Sequence, residues 1–147
     1  MVVPKALISP SDRKEINYLN FPALKSTALF WRPKAESLFQ CRNLGNLFLG
    51  KYTEADLTRL EHLTNLNYLR INTGSIKRLS GIEKLQGLTT LKLMQATKLE
   101  DLTGIERLQN LRKLVIDNCR NIQNIDSLRE IRERVDIEIA GTTPSLK

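Results

Sequence analysis

The chain holds little of what most active-site chemistry requires. Its 147 residues include one histidine, two cysteines and one tryptophan, and aromatics make up only 5%. A single histidine, His62, leaves little room for a histidine-based site. Cys41 and Cys119 make neither a disulfide framework nor a four-ligand metal site. No apolar run approaches the roughly 18 residues of a membrane helix. Met1 to Pro10 has one lysine and only an apolar stub, well short of the roughly 7–15-residue core of a secretory signal. With no signal-like start and no disulfide framework, a cytoplasmic protein is expected. The seven glycines stand singly, so neither a phosphate loop nor a dinucleotide-binding glycine pattern is present.

What remains is ordinary in bulk. The charged share of 27% and hydrophobic share of 41% are those of a globular chain, and the length fits one domain. Leucine is the exception, with 25 copies beside 12 isoleucines. Much of it falls into a repeat, the feature to seek first. The pattern Leu-x-x-Leu-x-Leu occurs at Leu44, Leu47, Leu49 and again at Leu66, Leu69, Ile71. It returns at Leu88, Leu91, Leu93 and at Leu111, Leu114, Ile116, and a degenerate copy lies at Arg134, Ile137, Ile139. The steps are 22, 22, 23 and 23 residues. An upstream half-copy is read at Ser26, Leu29, Trp31.

Alternation within each copy predicts a strand, and apolar residues spaced by three predict a tight helical or 3₁₀ return. These are Leu38 and Cys41, Leu60 and Leu63, Ile82 and Leu85, Ile105 and Leu108, and Leu128 and Ile131. A polar column precedes each return. Thr58-x-x-Glu61, Ser80-x-x-Glu83 and Thr103-x-x-Glu106 read as capping boxes, whereas Arg129 breaks the last copy. The recurrence of these glutamates argues for turn caps rather than catalytic carboxylates, and no enzyme is expected.

These residues resemble the leucine-rich repeat family, most of all the short 22-residue class of internalins and phosphatase-regulator proteins. The resemblance covers Leu44 to Ala140, with four columns in register over four steps. It implies an α/β fold: a right-handed solenoid with a curved parallel sheet on the concave side and short 3₁₀ or helical turns on the convex side. About five to six strands are expected over residues 26–140. One departure stands out. The family's turn asparagine is replaced by Tyr52, Gly74, Ala96, Cys119 and Thr142; only Cys119 fits the pattern.

Solenoid ends need covers. Residues 1–25 are read as an N-terminal cap with a short helix started by Ser9, Pro10 and Asp12. Residues 141–147 are read as a frayed tail. Asp136 and Glu138 put charge on the last strand, which discourages further pairing.

The residues between the core leucines face outward. The central row is expected to run Phe30, Phe48, Arg70, Lys92, Val115, Glu138. Beside it lie Ala28, Asn46, Tyr68, Thr90, Lys113, Asp136 on one flank, and Arg32, Gly50, Asn72, Met94, Asp117, Ala140 on the other. The candidate partner-binding residues are Phe48, Tyr68, Arg70, Lys92, Met94, Lys113 and Val115. Phe30 and Phe48 are read either as exposed contacts or as residues packed under the cap. Aromatics and arginine are what protein interfaces enrich. The expected function is therefore non-enzymatic protein binding on the concave face, as an inhibitor, adaptor or immunity-type antidote. No cofactor or metal is implied, and the partner is expected to be a protein with an acidic surface. Nucleic-acid binding is the alternative, suggested by the net charge of +7. Its 23 basic residues are, however, spread along the chain rather than clustered.

Overall fold

Leucine spacing is converted into architecture one turn at a time. The structure, a computed structural model, describes residues 6–8, 17–31 and 33–141. Its strands are β1 (Ala6–Ile8), β2 (Ser26–Phe30), β3 (Asn46–Tyr52), β4 (Tyr68–Gly74), β5 (Thr90–Met94), β6 (Lys113–Asp117) and β7 (Asp136–Ala140). They form one seven-stranded parallel sheet in chain order. Six of them lie within residues 26–140. The segment expected to be a cap also holds β1, which pairs with β2. The helix expected from Ser9, Pro10 and Asp12, and the tail beyond Gly141, lie outside the described residues.

The chain returns behind the sheet through 3₁₀ turns at Pro33–Gln40, Thr58–Leu60, Ile82–Lys84 and Ile105–Arg107, and once through a helix, α1 (Asp126–Ile131). The spacing of three explains the choice. A 3₁₀ turn repeats every three residues, so residues three apart face the same way. The amides of Leu63, Leu85 and Leu108 donate to the carbonyls of Leu60, Ile82 and Ile105 at 2.9–3.1 Å. The next apolar residues, Leu66, Leu88 and Leu111, repeat the step at 3.0–3.2 Å. Each of these side chains is fully buried, a gain of about 1.5–3 kcal/mol apiece. One column thus supplies both the turn hydrogen bonds and the core wall.

Two expectations are corrected here. In β2 the true register pairs Thr27 with Leu47 and Leu29 with Leu49. The repeat therefore starts at Leu24, not Ser26, and Thr27 takes a leucine position while buried. Trp31 sits beyond the repeat triplet and packs at a tilt against Phe39 and Tyr52, with ring centroids 5.0 and 5.5 Å away. The capping boxes are the second correction. Thr58 and Thr103 cap nothing; their amides and hydroxyls donate instead to Asp56 and Asp101, two residues upstream. Asn124 accepts from the amide of Asp126 in the same way. Gly81 and Gly104 adopt the left-handed conformation, and their amides donate to Glu83 and Glu106. After Ser80 and Thr103 a left-handed glycine turns the chain, whereas Thr58 is already the first residue of its own 3₁₀ turn rather than the residue before it.

The turns are stitched by asparagines in a column the sequence reading passed over. Asn43, Asn65 and Asn110 each precede a repeat's first leucine, and each donates its side-chain amide to the carbonyl of Pro22, Arg42 or Gln86 in the preceding turn. At the far end Arg134 replaces that leucine. Its guanidinium donates to the carbonyls of Leu108 and Glu106, closing the core edge with hydrogen bonds rather than with another leucine.

Candidate functional site

The side chains opposite the core form three rows fixed by strand register. The central row is Ala28, Phe48, Arg70, Lys92, Val115 and Glu138. Phe30 therefore leaves the central row that the sequence pattern assigned it. It joins Gly50, Asn72, Met94, Asp117 and Ala140, while Ser26, Asn46, Tyr68, Thr90, Lys113 and Asp136 make the other flank. Arg32 lies outside the described residues. Phe30 is 45% exposed. Its ring lies over Gly50, where a Cβ would come within 2.6 Å of it.

All seven candidate residues, Phe48, Tyr68, Arg70, Lys92, Met94, Lys113 and Val115, stand on this face and are half-buried. Their charges are not equivalent. Lys113 pairs with Glu138 and with Asp136 at 3.4 Å. The hydrogen bond to Glu138, before that to Asp136, pushes its pKa above the ordinary lysine value. Lys113 is thus already answered by carboxylates of the next strand. The other two cations rest on rings. The Arg70 guanidinium lies 4.8 Å above Phe48 and the Lys92 ammonium 5.8 Å from Tyr68. Neither forms an ion pair among the described residues. Arg70 Nε is buried and has no hydrogen-bond partner.

A family-model search gives no match for this chain, and no curated protein matches it. Solved structures do. Over 86% of this chain and 64% of the other, it superposes on internalin C2 from Listeria monocytogenes with a TM-score of 0.58 at 18% identity. Internalin InlF from the same organism gives a TM-score of 0.52 at 20% identity, over 83% of this chain and 43% of the other. The fold is a leucine-rich repeat solenoid. The chain spans less than two thirds of the length of these two internalin structures. The face described above is the solenoid's concave face, and the 3₁₀ turns form its convex side.

Elsewhere the solenoid holds few reactive groups. His62 is exposed on the convex side, 3.6 Å from Glu61. Both cysteines are free and buried, and burial pushes both thiols up, away from the reactive thiolate. Cys119 keeps its repeat role through contacts to the carbonyls of Leu93 and Asp117. Among the described residues no group of three or more His, Cys, Asp or Glu side chains could hold a metal. No described helix is long and apolar enough to cross a membrane. An open groove of about 460 Å³, lined by Thr73, Gln95, Thr97, Asn118 and Arg120, runs along the rim where β4 to β6 end. The sequence reading did not single it out. Three of its residues, Thr73, Gln95 and Asn118, share a left-handed backbone.

Proposed function

We propose that this solenoid is a non-enzymatic protein-binding module that takes a partner with an acidic surface on its concave face. The observation that carries the reading is the pair Arg70 and Lys92, two cations without carboxylates on a face that also offers Phe48 and Tyr68. Rings and arginine together are the composition of interface hot spots. The module would act by occupying its partner's surface, as an inhibitor, an adaptor or an antidote to a toxin does. Two buried free thiols accord with a reducing, cytoplasmic setting.

The test is affinity capture with three immobilised proteins. The native protein and an Arg107→Ala variant, altered on the convex side, should retain the same partner. A Tyr68→Ala, Arg70→Ala variant should lose it while keeping a cooperative unfolding transition. Equal capture by the double variant would overturn the concave-face reading.

A further inference from the structure

We infer that Arg70 and Lys92 form a seat for one oxyanionic group, the carboxylate or phosphoryl group of a partner's side chain. This inference rests on the concave-face reading and gives it a chemical centre. The first observation is register. Arg70 and Lys92 are direct cross-strand neighbours, on strands about 4.8 Å apart. Like charges placed this way destabilise a sheet. The second observation is that nothing in the described protein offsets the repulsion. One strand further on, Lys113 stands between two carboxylates. Arg70 and Lys92 have none among the described residues. In the central row Arg70 and Lys92 therefore stand as two adjacent cations with no carboxylate; Lys51, also without an ion pair among the described residues, lies at the end of β3 over the Phe30 ring and away from that row.

The surroundings make that pair a seat. Phe48 lies under the guanidinium and Tyr68 beside the ammonium, and the ring faces attract both cations and hold them against the sheet. Val115 follows Lys92 in the central row, and Met94 follows Asn72 in the next. The anion would therefore be bounded by rings on one side and by aliphatic groups on the other, where charge is less screened than in open water. An arginine fork matches the paired oxygens of a carboxylate or phosphate, and the lysine adds a point charge. Beyond Val115 the face turns acidic, with Asp117, Asp136 and Glu138. A second anion is repelled there, so the face accepts one and sets its direction.

The test is a nitrogen-15 NMR titration of the intact protein with inorganic phosphate, with acetate, and with chloride at matched ionic strength. The Arg70 Nε–H signal should move saturably with phosphate or acetate and not with chloride. Arg120, exposed and without an ion pair among the described residues, should show no saturable response. The response of Arg70 should be lost in Lys92→Met. Saturation by both anions supports a seat for either oxyanion; saturation by acetate alone assigns it to carboxylates, and by phosphate alone to phosphoryl groups. A response equal to that of chloride, or equal at Arg120, or unchanged in Lys92→Met, would overturn the seat. No partner enters this titration. A specific Arg70 shift beside capture unaffected by Tyr68→Ala, Arg70→Ala would sink the partner-binding reading and leave the seat intact.

Discussion

At Thr73 the backbone adopts a conformation that a threonine side chain resists. Its φ is 60°, and the equivalent residues Lys51, Gln95 and Asn118 share the left-handed region at 53–54°. That region costs an L-residue about 1–2 kcal/mol, and β-branched residues suit it least. The solenoid imposes it because each strand must end by turning the chain toward the back. The Gln95 and Asn118 amides donate to the carbonyls of Asp117 and Ala140 in the next turn, and the Ser75 amide donates to Tyr52 in the previous one. Asparagine tolerates this conformation and already occupies the column at Asn118. Thr73→Asn should raise stability by about 0.5–1 kcal/mol, a melting shift of roughly 1–4 °C for a chain of this size. Urea and thermal unfolding would show it, and a loss of stability would mean that strain does not reside in this column.

At the scale of the turn, short-range hydrogen bonding decided what spacing alone could not. The Ser/Thr-x-x-Glu pattern is visible, but Asp56, Asp101 and Asn124, each accepting from the amide two residues on, hold the entry to the turns instead. The role of the Asn43, Asn65, Asn110 column is not written in its spacing, because each side-chain amide bonds a carbonyl of the preceding turn, 21–24 residues upstream. The register of β2 was misread because Thr27, a polar residue, fills a leucine position. The hydrogen bond from the Thr103 hydroxyl, with that from its amide, holds the Asp101 carboxyl below its ordinary pKa. A carboxyl lowered in the folded state adds stability above its unfolded pKa, about 3.9, and loses it as pH falls through the folded value. Asp101→Ala should therefore cost about 0.5–2 kcal/mol at neutral pH. The gap to the native protein should narrow as the pH drops below about 4. Asp101→Asn, which keeps an acceptor, should cost only a few tenths of a kcal/mol. Urea midpoints measured across pH would test all three, and a gap independent of pH would remove the carboxylate from the account.

The whole molecule is a stack in which the principal contacts join only consecutive turns. This is why the repeat could be read from spacing: one column of leucines answers to one wall, and every turn obeys the same rule. The concave face was legible for the same reason, since alternation assigns its residues once the register is known. What spacing could not convey was which charges are spent. Spacing puts Lys113 among the candidate contacts beside Arg70 and Lys92, but β7 sets two carboxylates against it. A stack with nearest-neighbour coupling should tolerate the removal of one whole repeat. Excising residues 68–89 takes out a 22-residue step and joins Asn67 to Thr90. Because β3 and β5 both pair in register with β4, β5 would then pair with β3, setting Leu47 against Leu91 and Phe48 against Lys92. The shortened protein should keep a strand-type circular dichroism spectrum and one cooperative urea transition. Its slope should fall with the surface lost, and its midpoint should drop by the one interface removed. It should also lose the saturable phosphate or acetate response, because Arg70 and Tyr68 leave with the excised turn and Lys92 alone cannot offer paired donors. A chain that fails to fold, or unfolds in several steps, would show that the turns depend on more than their immediate neighbours.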